Sequence, residues 1–242
     1  PGVREVAVYL SRLTDLPFRE AIHWKRLVAT LRRDGATTPS ESGSLPGADM
    51  QSGGHHDRGS DPDLHSLIFP ADGEARSVRV YFGNEFCELR IPKQGEFEAS
   101  CTAAHEAGLP LTFVTPPATD NGMETLFDRL TDLQRWSPES EVVVNDWGTL
   151  RLLNEEFTLL TPLLGRLMSK LLRDPRVTPR CDDPGMSPEA LGSLRKCSLN
   201  ISAYRSLLTS YGVGRIELDN VYQGIDMDFG AMGLRPSIYI PH

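Results

Sequence analysis

Long apolar runs are missing from this sequence. No stretch approaches the roughly 18 uninterrupted apolar residues of a membrane span, and the first residues lack the basic, apolar and small-residue order of a signal peptide. A cytoplasmic protein without a membrane span is the expectation. Cysteine is scarce: Cys87, Cys101, Cys181 and Cys197 are the four thiols, and their wide spacing excludes the close C-x-x-C pairing of a zinc knuckle or redox dithiol and argues against a disulfide scaffold. Basic charge is in deficit, with 25 Lys and Arg against 33 Asp and Glu and a net charge of -8, so the surface is not built mainly to neutralise phosphates. A phosphate-cradling glycine loop, a G-x-S-x-G elbow and an H-E-x-x-H helix are all absent, which removes the standard hydrolase and nucleotide signatures.

What is present is enough apolar material, 39% of 242 residues, for a sizeable core. At roughly 150 residues per domain the length suits one large domain with additions. Residues 5–10 alternate like a strand, and residues 17–33 carry Ala21, Trp24, Leu27, Val28 and Leu31 on one helical face. Residues 1–34 therefore form a strand and helix element. In residues 35–63, Gly, Ser and Pro make up 14 of 29 positions, too polar a mixture to repay its own ordering entropy. This tract reads as a flexible linker or insertion, and its His55 and His56, with His65 just beyond, read as solvated side chains.

Residues 64–242 read as the main domain. Short apolar runs at 78–82, 111–114, 141–144, 157–160, 215–218 and 237–240 predict strands, and residues 97–107, 123–136, 149–155 and 202–211 predict helices between them. Alternation of this kind implies parallel strands joined by crossovers, buried on both faces. The fold class is α/β, either a doubly wound sheet or a (β/α) barrel, and the number of units fits an incomplete TIM-type barrel better. Prolines and glycines at 173–192 predict a long inserted loop. The chain starts at Pro1 without a methionine and stops at His242 just after an apolar run, the pattern of a piece of a longer protein.

In parallel α/β folds the chemistry lies at the carboxyl ends of the strands. Asn84, Glu85 and Cys87 follow the 78–82 strand, Thr115 follows the next, and Asn145 and Asp146 the one after. Asp146 also suits an N-cap of the following helix. Glu217 lies between Ile216 and Leu218, so alternation turns it to the opposite side, where a buried carboxylate needs a partner or a function. Asp219 shares that face, giving an acid–base or metal-binding pair, with His242 at the last strand's end. Cys101 reads as a packed helix residue, Cys181 and Cys197 are placed where they could be ligands, and Cys87 sits in a loop after a strand, where one thiol by itself defines neither a nucleophile nor a cluster.

The run VYFGNEFCELR at Val80 to Arg90 resembles the first strand and loop of the collagenase-like peptidase family, the unassigned peptidase family numbered thirty-two. Similarity continues through Ala103 to Thr115, through VVVNDWGTL at Val142 to Leu150, and through Leu199-Asn200-Ile201 and GVGRIEL at Gly212 to Leu218. The resemblance spans residues 76 to 242 and is nearest to the UbiU- and UbiV-type members. It implies a barrel fold and two chemistries: peptide hydrolysis, as the family name says, or oxygen-independent hydroxylation of RNA bases or ubiquinone precursors with a [4Fe-4S] cluster. Cys87 matches a cluster cysteine of the UbiV type. That family's other ligands follow the strand matching 237–240, so Cys181 and Cys197 are not their counterparts in chain order. The 173–192 insertion and the 35–63 tract depart from the family pattern.

The leading expectation is thus a collagenase-like peptidase family protein acting in, or assisting, iron–sulfur-dependent hydroxylation, with Cys87 as a ligand and Asn145, Asp146 and Glu217 on the rim. The alternatives are a peptidase with a metal held by Glu217 and Asp219, and a non-catalytic binding or assembly scaffold. A protein partner of the same family, and a small-molecule, RNA or peptide substrate, are the corresponding partner expectations.

Overall fold

The computed structural model describes residues 5–10, 77–177 and 185–239. The predicted helix at 17–33, the tract at 35–63, His55, His56, His65, Cys181 and His242 lie outside the described residues.

Among the described residues, seven strands form one sheet in sequential order, every neighbouring pair parallel. They are β1 (Glu5–Leu10), β2 (Ser77–Gly83), β3 (Leu111–Val114), β4 (Glu141–Val144), β5 (Thr161–Leu164), β6 (Arg215–Asp219) and β7 (Arg235–Tyr239). The helices are α1 (Gln94–Ala107), α2 (Asp120–Trp136), α3 (Trp147–Glu156), the short α4 (Arg166–Ser169) and α5 (Pro188–Leu194), and α6 (Ser202–Ser210). A doubly wound sheet reverses its strand order and carries helices on both faces. Here the order never reverses. Phe82, Phe113, Val144, Leu164 and Ile216 pack with the helix residues Phe97, Leu126, Leu130 and Leu153 in one large core. The opposite face carries a separate small cluster of Tyr81, Val114, Val143 and Leu163. The molecule is an α/β protein with a curled parallel sheet, helices outside and a packed interior: an incomplete barrel of the (β/α) type.

The fifth strand corrects the sequence reading. Residues 157–160 were the expected strand, but Phe157 ends α3 and Leu159 is exposed, while the strand is Thr161–Leu164 and contains Pro162. Proline lacks a ladder donor. It is tolerated because Thr161 and Gly165 donate to Ser140 and Val144 on the β4 side, so residue 162 faces β6, and the β5–β6 register consists of the single pair Leu164 with Ile216.

Part of the expected loop at 173–192 is also helical. Ser187 caps α5, accepting from the Ala190 N–H at 3.2 Å, and Pro188 takes the first turn, the arrangement favoured at helix starts. Helices α1 and α2 each begin three residues before the predicted start, since a polar first turn carries no apolar periodicity, and α3 begins two residues before, at the exposed Trp147.

Candidate functional site

The barrel's inner face is unusually polar. On β6, alternation carries Arg215, Glu217 and Asp219 inward, as the outward Ile216 and Leu218 require. Glu217 is 1% exposed. The Tyr81 hydroxyl on β2 donates to its Oε1 at 2.8 Å, and the Ser237 hydroxyl on β7 also bonds the carboxyl. Arg215 Nη2 donates to the Tyr81 oxygen at 2.6 Å and to Glu141 Oε2 at 2.7 Å. Glu141 on β4 further accepts from Thr112 Oγ1 at 3.1 Å and pairs with Arg79 Nη1 at 3.2 Å. One hydrogen-bonded network thus joins β2, β3, β4, β6 and β7.

Burial pushes the Glu217 carboxyl up to about 7, against the opposing pull of Tyr81 and Arg215. Its charged form is costly in a medium that solvates poorly. Burial, and then the neighbouring Glu217, also hold the Tyr81 hydroxyl well above its usual range, so Tyr81 keeps its proton.

Above this network, at the carboxyl ends of the strands, a second one closes the rim. Gly83 lets β2 run against β3, since a Cβ there would meet the Val114 carbonyl oxygen at 2.1 Å. Asn84 Oδ1 then accepts from the N–H groups of Phe86 and Cys87 at 3.0 and 2.8 Å, a local turn that buries Glu85 and exposes Phe86. Arg166, at the start of α4, forks onto both Glu85 oxygens and donates to Asp219 Oδ1 at 2.6 Å. Arg173 pairs with the other Asp219 oxygen at 3.1 Å. The Tyr239 ring lies 4.2 Å from the Arg166 guanidinium, close enough for a cation–π contact.

The sequence candidates fall into three groups. Glu217, Glu85 and Asp219 converge on the interior and rim. Asp219 is taken up by two arginines, and Glu217 by Tyr81 and Ser237, so the two do not share an open metal position. Asn145 and Asp146 sit at the rim in supporting roles. Asn145 Nδ2 donates to the Thr115 carbonyl at 2.9 Å, and its Oδ1 packs where a Cβ on residue 165 would stand. Asp146 caps α3, accepting from Thr149 N at 2.7 Å and Oγ1 at 2.9 Å, and also takes the Ala118 N–H at 3.2 Å.

Among the described residues, the cysteines do not gather. Cys87 is half-buried on the rim after β2. Cys101 is packed in the outer core, where burial pushes its thiol up to about 12. Cys197 begins the turn before α6, with its sulfur 3.7 Å from that of Met227. Among the described residues, no three His, Cys, Asp or Glu side chains stand together as a metal site. A cavity of about 480 Å³ beside α5, lined by Leu172, Val177, Met186 and Leu194 among others, contains none of the network.

Tyr81, Glu141, Arg166, Arg173 and Arg215 were not singled out from sequence. For Arg215 the signal was present, since it alternates with Glu217. For Arg166 it was hidden by the misplaced fifth strand, because a strand at 161–164 makes Gly165 and Arg166 the first rim residues. No family model matches the chain, and no curated protein matches it. Among the described residues, no helix is long and apolar enough to cross a membrane.

Proposed function

We propose that this chain is a barrel protein of the collagenase-like peptidase type, with its chemistry at the carboxyl rim and Glu217 as the group that exchanges a proton. Its sphere of action is oxygen-independent hydroxylation, in which it acts directly or assists a related partner. The observation that carries the reading is Glu217 itself: a carboxyl 1% exposed, inside the barrel, raised to about 7 by burial. A group poised near neutrality can both accept and release a proton. Peptide hydrolysis needs such a group to take a proton from water and return it to the leaving amine, whereas hydroxylation by a water-level oxygen needs it only to accept the proton, with the two electrons passing to a separate electron acceptor. The family resemblance supplies the substrate side, and RNA, a ubiquinone precursor-like small molecule and a peptide are the classes to assay. Loss of turnover on all of them in E217Q, with the fold retained, is the expected result; unchanged turnover removes Glu217 from the reaction.

Cys87 favours the iron–sulfur form of this reading, since it stands half-buried on the same rim. The described residues do not fit a [4Fe-4S] cluster by themselves: Cys101 is core, Cys197 packs on Met227, and a cluster needs converging thiolates. Cys181, outside the described residues, adds a single further thiol. Iron and acid-labile sulfide per chain, measured on protein purified without oxygen, test this form. Incorporation that Cys87→Ala weakens supports it, and incorporation unaltered in that variant takes Cys87 out of the site. The metal-peptidase reading loses its proposed ligand Asp219 to Arg166 and Arg173.

A further inference from the structure

The interior network has a direction, and the direction comes from donor chemistry. A guanidinium can only donate, so the Tyr81 oxygen must accept the 2.6 Å bond from Arg215. The hydroxyl's single proton is then left for the 2.8 Å bond to Glu217 Oε1. Arg215 is in turn held by the 2.7 Å bond to Glu141 Oε2, and Arg79 and Thr112 fix that carboxylate from β2 and β3.

We infer that Arg215 is a positioning residue: held by Glu141, it fixes the Tyr81 hydroxyl as a donor to Oε1 of Glu217, and so sets how readily that carboxyl takes up and releases its proton. This rests on the proton-exchange reading of Glu217. Arg215 does not itself reach the carboxyl at bonding distance, its Nε standing 4.0 Å from Oε1, so its effect on geometry passes through Tyr81. The other groups facing Glu217 act alongside it. Glu85, from the loop after β2, opposes a second negative charge, and the Ser237 hydroxyl on β7 favours the carboxylate. Glu141 faces the network from β4 and offsets the charge of Arg215. Arg166 and Asp219 are engaged in the rim network above. On β3 the inward Thr112 bonds Glu141 and Val114 is apolar, as is Leu163 on β5.

The test is a carbon-13 titration of glutamate carboxyls in the full chain, with E217Q to identify the Glu217 signal and circular dichroism to confirm folding. The wild type is expected to show a midpoint near neutrality that E217Q removes. Y81F and R215Q each remove a donor or a cation that favours the carboxylate, so each is expected to move that midpoint upward by about one pH unit or more, a tenfold gain in proton affinity. R215K, which keeps the charge and a donor, is expected to recover at least half of the shift. A change of less than about twofold in proton affinity in a folded Y81F or R215Q overturns the positioning role while leaving the proton-exchange reading standing. Y81F differs from the wild type by one oxygen, so it carries the test if R215Q does not fold. A wild type without a near-neutral Glu217 midpoint is a separate result, which overturns the proton-exchange reading and this inference together.

Discussion

Glu217 couples the candidate site to the stability of the fold. Its carboxyl goes from an ordinary value of 4.5 in the open chain to about 7 in the fold, so between those values the folded state holds a proton that the unfolded state has released. Stability from this group is fully present below the lower value, declines as pH rises through the interval and is flat above it. The difference amounts to roughly 3 kcal/mol. In E217Q the side chain stays neutral, and thermal melts are expected to show the variant gaining on the wild type from pH 5 to pH 8. A parallel pair of pH–stability curves contradicts this. Arg166 has the opposite character. It neutralises the buried Glu85 and the partly buried Asp219, and Arg166→Ala leaves both without that cation. A loss of about 3–5 kcal/mol in urea unfolding is expected.

Among the elements, α3 and β5 show how local chemistry positions the rim. Asp146 takes two backbone N–H groups and one hydroxyl, so Asp146→Ala is expected to cost about 1–2 kcal/mol, measured as a lowered urea midpoint. A loss of a few tenths or less shows that solvent caps the helix equally well. This cap was readable in sequence, since an aspartate just after an apolar run and just before a helix is a start signal. The start of β5 was not. Its apolar neighbours at 157–160 have stronger strand character than Thr161-Pro162, and only the missing β6 ladder at residue 162 makes the proline acceptable. Gly165 follows the strand, and a Cβ there would fall 2.1 Å from Asn145 Oδ1. Gly165→Ala is expected to displace Asn145 and cost about 1–3 kcal/mol, read from denaturation together with loss of the Asn145 side-chain amide's protection from hydrogen exchange.

At the scale of the molecule, the outer core and the inner face have different work. Phe113 is fully buried outside the sheet, its ring 5.0 Å from that of Phe97 in an edge-on contact. Phe113→Ala is expected to lose about 3–5 kcal/mol, measured by denaturant unfolding. Among the described residues, the inside of the sheet carries a four-residue apolar cluster, with charge pairs beside it. A barrel interior usually holds layers of branched apolar side chains; an interior with five titratable or cationic groups bonded in sequence, Glu217, Tyr81, Arg215, Glu141 and Arg79, is the expected signature of a site rather than a plug.

The sequence by itself determined the class of fold. Short continuous apolar runs alternating with amphipathic helices must bury strands on both faces, and period-two alternation sends Glu217 and Asp219 inward whatever the rest of the chain does. It also determined the cap at Asp146, because capping is settled within four residues. Only the tertiary structure decided the partners. Tyr81 and Glu217 are 136 positions apart, and Arg166 lies 81 positions from Glu85 and 53 from Asp219. The sheet's curl and strand order bring them together, and so it was the fold, through distance and burial, that turned isolated charged residues into a network with one carboxyl poised near neutrality.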